Sequence, residues 1–310
     1  MNSSSLRSER LITIAGPTGT GKSELALRLA QTLGGEIVNY DSVQVYRGFD
    51  IGSAKPSAET RSQVPHHLFD IVDADQELNA ADWARQAKEV CADIQARGRR
   101  PILVGGTFFY LRALLQGLPE MPGRDETVRA RIQAIANKPG GPARLHRWLQ
   151  KVDPTSGSKI APADRHRVER ALEVWLLSGK PITSWQVPAE DAVPSVKIAL
   201  DLDRTLLARR LERRVDAMYA AGLVEETRAL LARFPADARP FGTIGYKEAA
   251  AVVRGELTPA AARDETVRRT RAYAKRQRTW LRSERNVHWL DAGQMDDTLA
   301  AALRLIEVGT

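Results

Sequence analysis

Apolar positions along the chain follow two periods. Leu11–Gly16 (LITIAG) is a short apolar run ended by Gly-Pro, and it predicts a buried strand. The next segment, KSELALRLAQTLGG, repeats apolar residues at Leu25, Leu29 and Leu33 and stops at Gly34, which predicts a helix. EIVNYDS predicts a second strand. AADWARQAKEVCADIQARG places Trp83, Ala87, Val90, Cys91 and Ile94 on one helical face and ends at Gly98, so Cys91 reads as a small core residue. RPILVGGT follows as a third strand, continuous in hydrophobicity as doubly covered parallel strands are. Strands that alternate with helices predict an α/β fold on a parallel sheet.

The alternation stops after about Met121. From Arg124 to Gly179 only helical periods occur, punctuated at Pro139–Pro142 and Pro154–Gly157. SVKIALDLD (Ser195–Asp203) and VHWLDA (Val287–Ala292) then return to strand patterns. The expected organisation is a core of parallel sheet covered by helices, its first part at 1–121. A helical insertion domain follows at 122–190, and the core strands return with basic helices at 191–310. No internal repeat or low-complexity segment is visible.

Composition narrows the class. With 310 residues, 43% hydrophobic and 27% charged, the chain is that of an ordinary globular protein. No apolar run reaches the roughly 18 residues of a membrane span; PILVGGTFFYLRALL is cut by two glycines and Arg112. The polar MNSSSLRSER lacks the apolar stretch of a secretory signal. A single cysteine, Cys91, excludes an intramolecular disulfide and a cysteine metal cluster. These features lead us to expect a cytoplasmic protein without membrane contact, and the lack of a coiled-coil or exposed apolar stripe leads us to expect a monomer. The net charge of +8 suits a polyanionic partner or a merely basic surface, and its location must decide between them.

Chemistry enters at GPTGTGKS, which fits the phosphate-loop pattern G-x-x-x-x-G-K-[ST] with Gly16, Gly21, Lys22 and Ser23 as fixed members. It lies between a predicted strand and a predicted helix, where backbone N–H groups and the helix N-terminus converge on an anion. Lys22 adds a point charge and Ser23 a Mg²⁺ ligand. A dinucleotide-binding loop does not fit, because Glu24 stands where a third glycine belongs. The loop alone does not specify ATP. Phosphoryl-transfer enzymes of this type carry a strand-end Asp for Mg²⁺, but the third strand ends LVGGT without a carboxylate. The acidic candidates are Asp41, Asp201 and Asp203. Asp41 and Thr107 follow strand ends and are expected to face the loop, although Asp41 would also suit a turn cap and Thr107 a helix cap.

The excess charge is local. Arg263–Arg285 (RDETVRRTRAYAKRQRTWLRSER) holds nine Lys/Arg and three Asp/Glu, so it carries +6 of the chain's +8. Arg268, Arg271, Lys275, Arg278 and Arg282 form one helical stripe, with Tyr273 and Trp280 nearby. A solvated face and a nucleic-acid surface with stacking aromatics both fit this pattern. A phosphate site and a nucleic-acid face on one chain point to an enzyme that modifies a nucleotide in a polymer with a phosphorylated donor. Two other readings stay open: an ATP-dependent kinase of a small metabolite or nucleoside, with Asp203 on Mg²⁺, and an RNA-binding module with a nucleotide switch.

GPTGTGKS, NYDSVQVYRGFDIGSAKPS, PHHLFDI, LVGGTFFYLRALLQGL, RHRVERALEVWLLSGKPIT, GTIGYKE and AYAKRQRTWLR occur in the order found in the tRNA dimethylallyltransferases (tRNA isopentenyltransferases), which the chain resembles from about Leu11 to Trp289. The resemblance implies dimethylallyl diphosphate as donor. The implied acceptor is the exocyclic amine of adenosine 37, 3′ of the anticodon in the tRNA anticodon stem-loop. It implies that Gly16, Pro17, Thr18, Gly19, Thr20, Gly21, Lys22 and Ser23 bind the diphosphate with Mg²⁺, that Asp41 is the general base, and that Thr107 contacts the target nucleotide. Residues similar to the family's tRNA contacts are Asp41, Ser42, Val43 and Gln44; Arg129; and His166, Arg167, Val168, Glu169 and Arg170. They continue with Thr243, Ile244, Gly245, Tyr246, Lys247 and Glu248, then Lys275, Arg276, Gln277, Arg278, Thr279, Trp280, Leu281 and Arg282. One departure is Gly19-Thr20, where the family usually has Ala-Ser. Arg210 and Arg214, four apart on the helix after LDLD, are expected as further diphosphate ligands. His66-His67 makes a poor metal site without other ligands and is given no role beyond local structure.

Overall fold

A computed structural model describes residues 10–185 and 192–308. The chain forms two compact units, one of Met1–Gly117 with Asp191–Thr310 and the other of Leu118–Glu190. In the first unit the chain begins with β1 (Leu11–Ala15), α1 (Lys22–Leu33), β2 (Glu36–Asn39), α2 (Ala58–Gln63) and β3 (His66–His67). It continues through α3 (Ala80–Ala96), β4 (Pro101–Val104) and α4 (Phe108–Gln116). The second unit holds α5 (Glu126–Ala136), α6 (Gly141–Val152), α7 (Pro154–Lys159) and α8 (Arg165–Ser178). The first unit then resumes with β5 (Ser195–Asp201), α9 (Arg204–Ala220), α10 (Leu223–Leu231) and α11 (Tyr246–Val253). It closes with α12 (Pro259–Leu281), β6 (Val287–Asp291) and α13 (Met295–Val308).

The six strands are all parallel, in the order β3-β2-β4-β1-β5-β6. Of the inner members, β1, β2 and β4 are buried on every residue and β5 on all but its two ends, which is why β1 and β4 read as apolar runs. β1 has β4 on one side and β5 on the other. The chain leaves β1 toward β2 and later returns to its opposite flank, so the crevice beyond the carboxyl end of β1 is the place where an open parallel sheet binds ligands. β3 was invisible to periodicity because it is two residues long; His66 and His67 pair with Ile37 and Val38 of β2.

The sheet core joins Ile12 and Ile14 of β1 to Leu25 and Leu29 of α1, Ile102 of β4, Ile198 and Leu200 of β5, and Ile306 of α13. Helix α1 stops where predicted, with Gly34 in the left-handed region at φ 62°. Cys91 is fully buried, and burial pushes its thiol up to about 12, as befits a packing residue. The second unit has its own core of Ile132, Leu145, Leu149, Val168 and Leu172.

Candidate active site

The phosphate loop joins β1 to α1, and α1 starts without a side-chain cap at Gly21. Its first-turn N–H groups are therefore open to a ligand. Pro17 has no N–H to offer; its carbonyl instead accepts from Thr20 N–H at 3.4 Å, Thr20 Oγ1 at 2.9 Å and Lys22 Nζ at 2.9 Å. Thr20 is fully buried by this arrangement. Pro17 and Thr20 thus shape the loop from within, and neither side chain reaches outward as a diphosphate ligand. Gly19 sits at φ +85°, and a Cβ there would lie 2.7 Å from Leu211 Cδ2 of α9. In this chain the departure to glycine is matched by Leu211 packed against the loop.

A cavity of about 350 Å³ opens beside the loop, within the ~300–1,000 Å³ usual for small-molecule sites. Lys22, Ser23, Arg210 and Arg214 line one part of it, and Ile37, Ala54, Pro56, Phe69 and Val104 another. Burial in the cleft, with the like charge of Arg214, brings Lys22 down to about 7 against the opposing pull of Asp41. Burial also lowers Arg214, again with Asp41 opposing. Three cations share this space, and an anion of several charges would relieve their repulsion.

Asp41 also lines the cavity. Its Oδ1 accepts Val43 N–H at 2.9 Å and Gln44 N–H at 3.4 Å. Asp41 thus caps its turn through Oδ1, and its Oδ2 is left on the side of Gly106, 3.4 Å from where a Cβ there would stand. The strand end beneath Asp41 is fixed: Asn39 Oδ1 accepts Asp41 N–H at 2.9 Å, and Tyr40 OH donates to Ile14 O at 2.6 Å. Thr107 starts α4 without capping it through its side chain. Its hydroxyl accepts Ser42 N–H at 2.9 Å and donates to Ser42 Oγ at 3.0 Å, binding the two loops together. The other acidic candidates are engaged elsewhere. Asp203 caps α9 by accepting Thr205 and Leu206 N–H groups, and Asp201 pairs with Arg278 at 2.5 Å. The strand-end Mg²⁺ carboxylate that a kinase requires is thus not supplied by Asp201 or Asp203. The arrangement suits a small molecule with a multiply charged anion and an apolar group, next to a carboxylate that can take a proton.

The family model described as IPP transferase matches residues 44–284. The chain is 46% identical over 286 residues to the tRNA dimethylallyltransferase of Geobacter sulfurreducens, covering 91% of this chain and 92% of that protein. It is 49% identical over 287 residues to the tRNA dimethylallyltransferase of Anaeromyxobacter dehalogenans, covering 91% and 94%. This chain belongs to the IPP transferase family. Among solved structures it is similar to the full-length tRNA isopentenylpyrophosphate transferase of Bacillus halodurans, with TM-score 0.72, 37% identity and 97% and 98% of the two chains covered. A eukaryotic dimethylallyltransferase described as acting on tRNA gives TM-score 0.76 at 28% identity, covering 96% of this chain and 78% of that one.

The residues that resemble tRNA contacts in IPP transferases fall into exposed and internal sets. Lys275, Arg276 and Thr279 on α12, and Arg282 at its C-terminal cap, are exposed. Gln277 and Leu281 are buried, and Trp280 stacks on Phe108 with ring centroids 4.6 Å apart. The basic stripe is also less free than its spacing predicts. Arg268 pairs with Glu265, Arg271 with Glu212, and Arg278 with Asp201. The unpaired charge among the described residues of this stripe is on Lys275 and Arg282. Tyr246 and Glu248 face inward too: Tyr246 OH donates to Glu226 at 2.6 Å, and Glu248 accepts Gly245 N–H at 2.8 Å and pairs with Arg269. Lys247 is exposed, with Thr243 and Ile244 half-buried. The side chains of Tyr246, Glu248 and Leu281 are packed inside the fold and do not reach its surface, whereas Gln277 is buried but lines the cavity.

In the second unit, Arg129 and Arg170 both reach Glu173, at 3.0 and 2.7 Å. Burial alone would raise Glu173, but Arg170, the Asp125 N–H and Arg129 hold it below the usual carboxylate range. His166 and Arg167 are exposed, Glu169 pairs with Arg165, and Val168 is buried in the core of that unit. Val168 is thus a packing residue.

Three residues escaped sequence reasoning. Lys55, its side chain 1% exposed, donates to Tyr46 O at 2.8 Å and pairs with Asp50 and Asp70 at 2.6 Å each. Glu226 accepts the N–H of Ile51 at 2.9 Å and the hydroxyl of Tyr246. These anchors, with Asp70, hold the loop after Asp41 from two sides. The FDIGSAKPS motif contains Lys55 and its partner Asp50, but Tyr46 and Asp70 lie outside it, and nothing in the local pattern marked Lys55 as buried.

Proposed function

We propose that this protein transfers the dimethylallyl group of dimethylallyl diphosphate to the exocyclic amine of adenosine 37 in tRNA and releases diphosphate. The observation that carries the reading is the cavity that gathers Lys22, Arg210, Arg214 and an apolar wall beside Asp41. The diphosphate lies against the N–H groups at the start of α1 and the three cations, and the prenyl chain lies toward Ile37, Phe69 and Val104. The amine nitrogen attacks the allylic carbon, an N–C bond forms, and the C–O bond to diphosphate breaks with its electron pair leaving on oxygen. Asp41 takes the amine proton on Oδ2, while its Oδ1 stays bonded to the turn that orients it. Delocalisation of the amine lone pair into adenine makes this proton acceptor necessary.

Ser23, in the first turn of α1 at the cavity rim, fits one oxygen ligand of Mg²⁺. No cluster of three or more His, Cys, Asp or Glu suited to a metal occurs among the described residues, so the remaining ligands would be diphosphate oxygens and water, as is usual for Mg²⁺. When bound, the ion would neutralise charge on the leaving diphosphate.

The acceptor is the anticodon stem-loop, with the target base out of its stack. Lys275, Arg276 and Arg282 on one unit and His166 and Arg167 on the other supply backbone contacts. We read the protein as a monomer of the cytoplasm; no helix among the described residues is long and apolar enough to cross a membrane. Incubation with tRNA and either dimethylallyl diphosphate or ATP, followed by digestion and nucleoside mass spectrometry, tests the reaction. A dimethylallyl adduct on adenosine is expected with the first donor alone. Phosphate transfer from ATP, without an adduct, would refute the proposal.

A further inference from the structure

Gln277 lies on the inner face of α12, 4% exposed, and both ends of its amide are occupied. Oε1 accepts the Thr18 N–H at 2.8 Å, and Nε2 donates to Gly106 O at 3.1 Å. One side chain therefore joins the phosphate loop after β1 to the glycine turn after β4. The Tyr273 hydroxyl donates to the same Gly106 carbonyl at 3.2 Å. A Cβ on Gly106 would stand 2.8 Å from Gln277 Nε2, so a larger residue here would push the amide away from the turn, while Asp41 Oδ2 would lie at ordinary contact distance, 3.4 Å. The next residue, Thr107, holds Ser42 and with it the Asp41 turn. The bond to Thr18 also commits a phosphate-loop N–H to the protein. Gripping an anion does not require that; fixing the loop's position does.

We propose that Gln277 is a positioning residue that sets the spacing between the phosphate loop and the Asp41–Thr107 turn. It thereby sets the distance from the donor's allylic carbon to the amine that attacks it. The proposal rests on the transfer reaction given above. Misplacement by about 1 Å can cost ~10²-fold in rate. An amide is required because one end accepts while the other donates. An ionised carboxylate has only acceptors and would set a lone pair against Gly106 O, whereas a protonated carboxyl restores the donor. The groups facing this position are Asp41 and Tyr273, with Lys22 and Arg214 in the same cavity. Burial and the Asp41 charge would keep an introduced carboxyl protonated at the lower pH values.

Transfer kinetics of wild type, Gln277→Leu and Gln277→Glu between about pH 6 and 9 test the proposal. For Gln277→Leu, kcat should fall about 30–100-fold at every pH, with KM for donor and tRNA within about threefold. Gln277→Glu should approach wild type at the acid end and decline toward the Leu variant as pH rises. Taking its ratio to wild type at each pH removes the titration of the rest of the site. The isosteric Glu variant also keeps the test valid should the Leu variant fail to fold. Wild-type kcat in Gln277→Leu, a loss confined to KM, or a pH-independent Glu-to-wild-type ratio would overturn the spacing role. An inactive wild type would instead overturn the reaction, and the spacing role with it.

Discussion

Binding of the diphosphate should be tied to the protonation of Lys22. In the free protein this ammonium is held at about 7 by burial and by Arg214. A bound polyanion would restore its ordinary affinity for a proton, near ~10.4. Raising the pH therefore removes a cation from the free site before binding, and affinity should fall. With a free-state value of about 7, Lys22 is ~75% charged at about pH 6.5 and ~3% charged at about pH 8.5, a ~25-fold difference through this one group. Titration calorimetry with inorganic diphosphate measures it directly. The ligand's own protonation is cancelled by comparison with Lys22→Arg, whose guanidinium stays charged throughout. The ratio of dissociation constants, wild type over variant, should rise about 20–30-fold from pH 6.5 to 8.5. Near about pH 8 the wild type should also take up close to one proton on binding, read from buffers of different ionisation enthalpy. A ratio that stays flat, with no proton uptake, would show that Lys22 is charged in the free cavity and refute the reasoning.

Other measurements probe separate parts of the molecule. Asp41→Asn keeps an oxygen for the Val43 and Gln44 N–H groups while removing the base; single-turnover transfer should fall about 10²–10⁴-fold with tRNA affinity within a few-fold, and near-normal transfer would rule Asp41 out. Lys275→Ala with Arg282→Ala should flatten the slope of log K for tRNA against log salt by roughly one to two units. Arg278→Ala should leave that slope nearly unchanged, because its charge is spent on Asp201; equal slopes in all three proteins would reduce α12 to a solvated face. Glu36, its side chain 1% exposed, is held at about 2, by the Arg97 hydrogen bond against burial and with help from His67. Its folded value is depressed, so the stabilisation is present above about pH 4.5 and lost as pH falls toward 2. Glu36→Gln should lower the thermal midpoint at neutral pH by several degrees and by progressively less below about pH 4.5; a pH-independent difference would count against the pairing.

The sequence by itself determined the elements and much of the chemistry. Apolar runs read as buried parallel strands because both faces of β1 and β4 are covered. The phosphate loop was legible because strand, glycines and helix are contiguous, and the place of Asp41 beside it because that residue follows a strand end; Thr107 also follows one, but its hydroxyl is engaged by Ser42 and it does not line the cavity. Tertiary structure decided the rest. β3 has no period of its own and exists only by pairing with β2. The stripe on α12 looked uniformly basic, yet Arg271 and Arg278 find partners on α9 and β5, separated from them by 59 and 77 residues. Spacing along a helix tells which residues share a face, but not what that face meets. Gln277 shows the same limit. Within AYAKRQRTWLR it is one polar residue among many, and only the crossing of α12 behind two loop ends gives its amide two partners. Hydrogen bonds and ion pairs depend on distance in space, and the sequence records only distance along the chain.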